Sequence, residues 1–424
     1  MSRSHSQKRR VVVTGIGCLT SIGHGAKPFW EAIRNERSGI GFITMFDRTK
    51  FACQCAAEIA DFDPKAWFPP HRLKRIDRYA QFSLAVSEQA LADAGVKTVE
   101  GETTYRTGVS FGTALGGIAN AEIQHARFLE KGVDAIPAAL ALQVFGGSAH
   151  ANIAIHHGLR GYSTTNSNSC ASGTVAVGEA FRAIRDGYAD RMIAGAAEAP
   201  LSPLTFGAFD TIKAMTKETA VPESSCRPFD RTRSGFVMGE GAAALILEER
   251  EMAVKRGARI YAEVLGYALN NDAYHMTSSL PDGAAAVTAM REALAEANLK
   301  PDQIDYINAH ASGTQMNDAH EAGALRQVFG GEGKNRGHLP AVSGTKAFYG
   351  HPLGATGAIE AALTALALHY QYVPPTLNCT DPEETEGFDL VRLHGRTQPL
   401  RYALSNSFGF GGINSCLILG QAGE

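Results

Sequence analysis

The chain lacks a charge bias, a cysteine framework and any apolar run long enough to span a membrane. Its 40 basic and 43 acidic residues in 424 leave a formal charge of −3, which argues against a nucleic-acid partner whose affinity rests on phosphate neutralisation. Seven cysteines, scattered and odd in number, argue against a disulfide framework and for a reducing, cytoplasmic setting. Only Cys53 and Cys55 lie close together. With no second pair and no histidine at ligand spacing, they read as small side chains in or beside a strand, and no metal site is expected. Arg3, Lys8, Arg9 and Arg10 lead into Val11 without an apolar signal core, so residues 1–10 read as a disordered basic tail. Membrane insertion is not expected.

At 44% hydrophobic and 20% charged residues the chain can fill two compact lobes. Short apolar runs bounded by glycine recur at Val11–Val13, Thr107–Phe111, Met192–Ala194, Ala243–Leu247, Tyr261–Leu265, Tyr306–Ala309 and Leu417–Leu419. Helical patterns fall between many of them, which favours an α/β class. A faint repeat is visible: Glu88–Val96 precedes the strand-like Gly108–Thr113, as Glu292–Leu299 precedes Asp305–His310. The repeat suggests two related halves, 11–257 and 258–424, meeting near Gly257 after the charged stretch Glu248–Arg256.

Four motifs carry candidate chemistry. Cys170 lies in Ser-Asn-Ser-Cys-Ala-Ser-Gly, ahead of an amphipathic pattern over Thr174–Gly187 with Val177, Phe181 and Ile184 on one stripe. A cysteine at the positive end of a helix dipole is expected to have a lowered pKa and a nucleophilic thiolate. His310, in Asn-Ala-His-Ala-Ser-Gly-Thr, falls at the end of a strand, where open α/β sheets meet ligands. Ser312 and Thr314 alternate beyond it and either face a polar ligand or cap a local turn. Ser343–Glu360 carries Lys346 and His351 among small residues, reading as a loop feeding a helix in a crowded interior. Phe408 and Phe410, in Asn-Ser-Phe-Gly-Phe-Gly-Gly, sit on a glycine hinge and suggest a gate, or a turn anchored by core aromatics. Gly15-Ile16-Gly17-Cys18-Leu19-Thr20 lacks the third small residue of a dinucleotide fingerprint.

Taken in order, Ser-Cys-Ala-Ser-Gly at Cys170, Asn-Ala-His at His310, Thr-Lys-x-x-x-Gly-His at Lys346 and His351, and Asn-Ser-Phe-Gly-Phe-Gly-Gly together resemble the β-ketoacyl-[acyl-carrier-protein] synthases. Arg227-Pro228-Phe229-Asp230 and the stretch Gly235–Ala242 look like further blocks, and the resemblance runs from about Val11 to Leu419. The Cys-His-His set resembles the elongating enzymes, most closely type II; a degradative thiolase would use Cys-His-Cys. The resemblance implies a thiolase fold, two similar halves in five αβαβα layers, and a homodimer. It implies decarboxylating condensation of an enzyme-bound acyl thioester with malonyl-acyl carrier protein. No cofactor is implied, because the substrates ride on the phosphopantetheine of acyl carrier protein, which is the expected partner.

Residue by residue, the resemblance makes Cys170 the nucleophile, places an oxyanion hole at the backbone N–H groups of Cys170 and Phe410, and gives His310 and His351 the enolate oxygen through Nε2. Lys346 would align charges through Glu321, with Asp318 and Glu360 as structural acids. Ser312 and Thr314 match the pantetheine-binding hydroxyls, Leu115 the residue limiting the acyl pocket, and Arg72, Lys74 and Arg75 a basic docking helix for the acidic carrier. Ser312, Ala311 and Ser169 depart from the usual Thr, Gly and Ala, which touches substrate preference more than reaction type. Two other readings stay open: a ketosynthase of a polyketide, polyene or specialised lipid pathway, and a non-catalytic partner like the chain-length-factor subunits.

Overall fold

Each apolar run falls on a strand, with Tyr261 one residue ahead of its own. The computed structural model describes residues 8–96, 100–330, 339–383 and 385–423, and residues 1–7 of the expected tail lie outside that range. Arg9 and Arg10 correct the rest of that expectation: Arg9 reaches Asp190 at 2.7 Å and Arg10 Nε reaches Glu263 at 2.7 Å, so the order begins before Val11.

The strands repeat one pattern. From the centre outward, Val11–Thr20, Gly241–Glu249, Arg191–Glu198, Thr107–Gly112 and Ser163–Asn166 pair in that order, first antiparallel and then parallel. Ala262–Asn271, Ile413–Gln421, Tyr402–Gly409, Tyr306–Ala309 and Ala341–Gly344 follow the same order with the same senses. The two runs join where Val11–Val13 pairs with Ala262–Val264. The echo in the sequence falls on corresponding strands, Thr107–Gly112 and Tyr306–Ala309.

Helices complete five layers, as the resemblance implies. Arg78–Asp93 and Ser148–His157 cover the outer face of the first sheet, and Ala284–Glu296 with Gln315–Phe329 the outer face of the second. Between the sheets lie Ser172–Arg185 and Thr356–Tyr370. A helix covered on all sides needs no polar stripe, and every residue of Thr356–Leu368 is buried. The helix read over Thr174–Gly187 begins two residues earlier, at Ser172, and ends at Arg185. Among the described residues, no helix is long and apolar enough to cross a membrane.

Several local readings acquire a physical cause. Gly15 and Gly17 sit inside the first strand because a Cβ there would meet Ala90 O at 2.2 Å or Val86 O at 2.1 Å on the covering helix. Cys53 and Cys55 are buried in and beside the short strand Cys55–Ala56. The basic stretch from His71 to Arg78 is not one helix: a single turn, Pro70–Leu73, ends before Arg78 starts the next. Arg78 turns inward to Glu240 at 2.6 Å, and Arg72 is half-buried against His156. Lys74 and Arg75 remain exposed.

The two central helices touch backbone to backbone at their N-termini. A Cβ on Gly173 would lie 2.3 Å from Ala358 N, and one on Gly357 would lie 2.2 Å from Thr174 Oγ1. Gly357→Ala is therefore expected to cost about 1–3 kcal/mol by overpacking. Gly323→Ala, on the outer helix Gln315–Phe329 with no neighbour closer than 4.0 Å to the added Cβ, should instead stabilise by about 0.5–1 kcal/mol through helix propensity. Denaturant midpoints that move in opposite directions for the two variants would bear this out; a neutral Gly357→Ala would refute the interlock.

Candidate active site

Cys170 sits where the chain leaves the edge strand Ser163–Asn166 and turns sharply into a central helix. Ser169 makes the turn with φ of +49°, unusual for a residue with a Cβ. Its carbonyl accepts the Ser172 hydroxyl at 2.7 Å, which holds the bend. Ser169–Ala171 form a 3-10 turn, so the thiol precedes the helix proper.

The expectation of an acidic thiol is corrected. Burial pushes the Cys170 thiol up to about 12. The Lys346 charge and the backbone N–H groups of Phe410 and Cys170 oppose that rise, without cancelling it. The physical reason is the balance of two quantities: a helix end offers about half a charge, whereas partial burial of the sulfur on the cavity wall removes a large share of an anion's hydration. The two N–H groups that favour the thiolate are those of Phe410 and Cys170, which therefore face the sulfur.

His310 follows the strand Tyr306–Ala309, with Ala311 beyond it at φ of +37°. Glu321 straps this bend, accepting the N–H groups of His310 at 2.8 Å and Ala311 at 2.7 Å. Lys346 lies beneath, fully buried, donating to the His310 carbonyl and reaching its Nδ1 at 3.5 Å. An ammonium has only donors. His310 Nδ1 must accept, and its proton sits on Nε2. The carboxylate partner of Lys346 is Glu360 and not the expected Glu321, because Glu321 is committed to the His310–Ala311 backbone. Burial raises both the Glu321 and Glu360 carboxyls, with the Lys346 charge opposing the rise.

His351 meets the His310 ring nearly edge to face, centroids 5.4 Å apart. Its Nδ1 is 2.8 Å from the Thr356 hydroxyl, at the first turn of the second central helix. Burial first, and then the Lys346 charge, hold both imidazoles well below their ordinary pKa, so both are neutral. Asp318 behaves as a structural acid, accepting Phe229 N at 2.9 Å and Gly313 N at 3.1 Å.

One cavity of about 590 Å³ collects most of the candidates: Cys170, His310, His351, Ser312, Thr314, Phe408 and Phe410 line it. Ser312 and Thr314 bond to each other at 3.0 Å, and Thr314 caps the following helix through Asn317 N at 3.2 Å, so the local turn reading holds while both residues also line the cavity. Phe410 lies in the turn between the strands Tyr402–Gly409 and Ile413–Gln421, stacked on Phe209 at 6.3 Å. Gly411 and Gly412 take positive φ of 88° and 72° there. Leu115 does not line the cavity; it stands on the loop after Thr107–Gly112. Lys346, Asp318, Glu321 and Glu360 lie behind the wall, and Arg72, Lys74 and Arg75 are on another part of the chain. Sequence reasoning missed Thr356, visible only as a hydroxyl five residues after His351, and Glu198, an acid closing the strand Arg191–Glu198.

Comparison with known proteins agrees with this geometry. Residues 8–253 match the family described as "Beta-ketoacyl synthase, N-terminal domain" and residues 261–380 its "C-terminal domain". A 3-oxoacyl-[acyl-carrier-protein] synthase 2 of Synechocystis sp. is 41% identical over 97% of this chain and 98% of its own, and one of Vibrio harveyi is 39% identical over 98% and 100%. Among solved structures, a beta-ketoacyl synthase from Burkholderia phymatum superposes with a TM-score of 0.90 at 33% identity, covering 98% of this chain and 100% of that one. A ketosynthase solved in complex with its type II PKS acyl-carrier protein gives 0.89 at 34%, with the same coverage. Matched along both halves and over nearly its whole length, the chain belongs to the β-ketoacyl synthase family.

Proposed function

We propose that the chain is an elongating 3-oxoacyl-[acyl-carrier-protein] synthase, an acyltransferase of fatty acid chain extension. It condenses an acyl group held on Cys170 with malonyl-acyl carrier protein, releasing carbon dioxide and giving 3-oxoacyl-acyl carrier protein. The observation that carries this reading is the convergence of one thiol, two neutral imidazoles and two backbone N–H groups on one cavity. A non-catalytic partner subunit would have no use for that set. The acyl and malonyl groups arrive on a carrier phosphopantetheine, so the chain itself needs no cofactor.

Each residue type has a task. The Cys170 sulfur attacks the acyl thioester while the N–H groups of Cys170 and Phe410 stabilise the tetrahedral oxyanion. His310, fixed as the Nε2–H form by Lys346, can only donate, which suits the enolate oxygen left by decarboxylation. His351 is paired with a hydroxyl that gives or accepts, so it can take the thiol proton during acylation and return it to the departing pantetheine thiol. It then joins His310 at the enolate. Ser312 and Thr314 hold the pantetheine arm, and Leu115, although outside the wall of this cavity, is proposed to limit the far end of the acyl chain.

The division at residue 257 falls between the two matched family segments, which end at 253 and resume at 261. A homodimer is proposed because the edge strand Ser163–Asn166 has no outer partner among the described residues and is flanked by exposed Leu142, Phe145, Ile155 and Tyr162. Exposed edges and apolar patches of this kind are normally covered. The free cysteines suit a reducing cytoplasm.

Intact-mass measurement after mixing the enzyme with acyl-carrier proteins should show an acyl adduct on the parent and none on Cys170→Ala. His310→Ala should retain the adduct and lose malonyl decarboxylation, whereas His351→Ala should slow both by about 10²-fold or more. Equal acylation by the two histidine variants would remove the proton-transfer role of His351. A thiol raised by burial is almost wholly un-ionised at pH 8. Alkylation of Cys170 by iodoacetamide in the free enzyme should thus climb about tenfold per pH unit from 7 to 10. A plateau below pH 9 would instead signal a thiolate already formed. Exposed Lys74 and Arg75 are proposed to dock the acidic carrier. Their joint reversal to Glu should raise KM for the carrier about tenfold at low salt and less at high salt, with kcat unchanged; an unchanged KM would remove that role.

A further inference from the structure

Glu198 is fully buried, and among the described residues no Lys or Arg pairs with it. Four donors converge on it instead. Oε1 accepts the Thr113 hydroxyl and Leu115 N, each at 3.1 Å, and Oε2 accepts Ala114 N at 2.6 Å and Gly354 N at 3.1 Å. The first three donors belong to the loop that carries Leu115. The fourth belongs to the turn Leu353–Ala355, two residues beyond the His351–Pro352 step. The Thr113 hydroxyl is itself oriented, since it accepts Gly116 N at 3.0 Å and so turns its proton to the carboxylate.

The contact between the two loops leaves no slack. A Cβ on Gly354 would lie 2.3 Å from Ala114 N and 2.5 Å from Glu198 Oε2. The Leu115 loop is also tied to the nucleophile's helix, where the Ser172 hydroxyl lies 3.3 Å from the Thr113 carbonyl. Burial raises the Glu198 carboxyl to about 7, and the four hydrogen bonds oppose the rise by replacing part of its lost hydration. Three of its donors are backbone N–H groups that face no sheet partner. A side chain with a single acceptor oxygen would leave at least one donor of the Leu115 loop unpaired whichever way it turned, since that loop bonds to both oxygens.

We propose that Glu198 is the positioning residue that couples the acyl-limiting loop at Leu115 to the His351 turn. Movement of Leu115 away from a longer acyl chain is transmitted through one carboxylate to the group that works on the second substrate. The proposal rests on the assignment of Leu115 as the residue limiting the acyl chain. It predicts that loss of the strap alters which chain lengths are extended, not merely how fast.

Glu198→Gln and Thr113→Val test it, with Leu115→Ala alongside. The readouts are kcat and KM for condensation across short, medium and long acyl-carrier proteins, together with melting temperature. The expected result is a change of about fivefold or more in the long-to-short ratio of kcat/KM for both strap variants, carried mainly in kcat. A uniform loss across lengths in both variants would overturn the coupling and leave Glu198 a fold element. Should Glu198→Gln fail to fold, Thr113→Val, which removes one donor and keeps the carboxylate, decides alone. An unchanged ratio in Leu115→Ala would overturn the Leu115 assignment, and the proposal with it; a changed ratio there with unchanged ratios in both strap variants would overturn the coupling only.

Discussion

The crossing of two helix N-termini at Gly173 and Gly357 sets the scale of everything around the cavity. Neither glycine is required by its φ; both are required by distance, since a Cβ on either would enter the other helix. One helix follows the nucleophile and the other follows His351. Bringing their starts into backbone contact places a thiol from one half beside an imidazole from the other without any long side chain reaching across. The hydroxyls of Thr174 and Ser407 bond at 2.7 Å beside this contact, so the polar groups exposed by small residues are answered locally.

Such a junction buries the groups around it, and the pKa shifts follow from that burial. The thiol is pushed up and both imidazoles are pushed down, so the resting cavity carries three neutral groups. Charge is confined to the layer behind, where Lys346 and Glu360 form a pair with no exposure. A buried pair adds little to stability compared with apolar side chains of similar size. Its value here is directional: the ammonium meets His310 Nδ1 and holds a positive charge behind the cavity wall. A site of neutral groups backed by a fixed cation favours negative charge that appears during reaction over negative charge that is present beforehand.

Much of this was legible in the sequence because it depends on residue type and order. Alternating apolar runs and helical patterns located the longer sheet strands, apart from Ser163–Asn166, Ala341–Gly344 and Tyr402–Gly409, which are polar or rich in small residues and run into motifs; the two-residue strands Gly23–His24 and Asp389–Leu390 were too short to read. Cys170, His310 and His351 were identifiable from their motifs, and the structure brings them to one cavity. What could not be read depends on which donors surround a buried acid. Glu321 and Glu360 both match acidic positions, yet one holds backbone and the other holds the lysine. The thiol's pKa was misjudged for a related reason: a helix start is visible in sequence, and the degree of enclosure is not. Glu198 gave no local signal, since its partners come from residues about 85 and 156 positions away.

The repeated strand order explains why the chemistry converges. In the first half the Leu115 loop follows the fourth strand from the centre, Glu198 ends the third, and Cys170 follows the fifth. In the second half the His310 loop follows the fourth, Phe408 and Phe410 lie at the end of the third, and Lys346 and His351 follow the fifth. Corresponding strand ends thus supply different parts of one site, at the edge where α/β sheets bind ligands. The central helices lie between the two halves, and the loops that follow the strand ends meet beside them. A side chain that closes a strand in the first half can therefore reach a turn of the second, as Glu198 reaches Gly354. Duplication supplies the matching scaffold, and divergence at the strand ends turns that symmetry into a nucleophile on one side and oxyanion donors on the other.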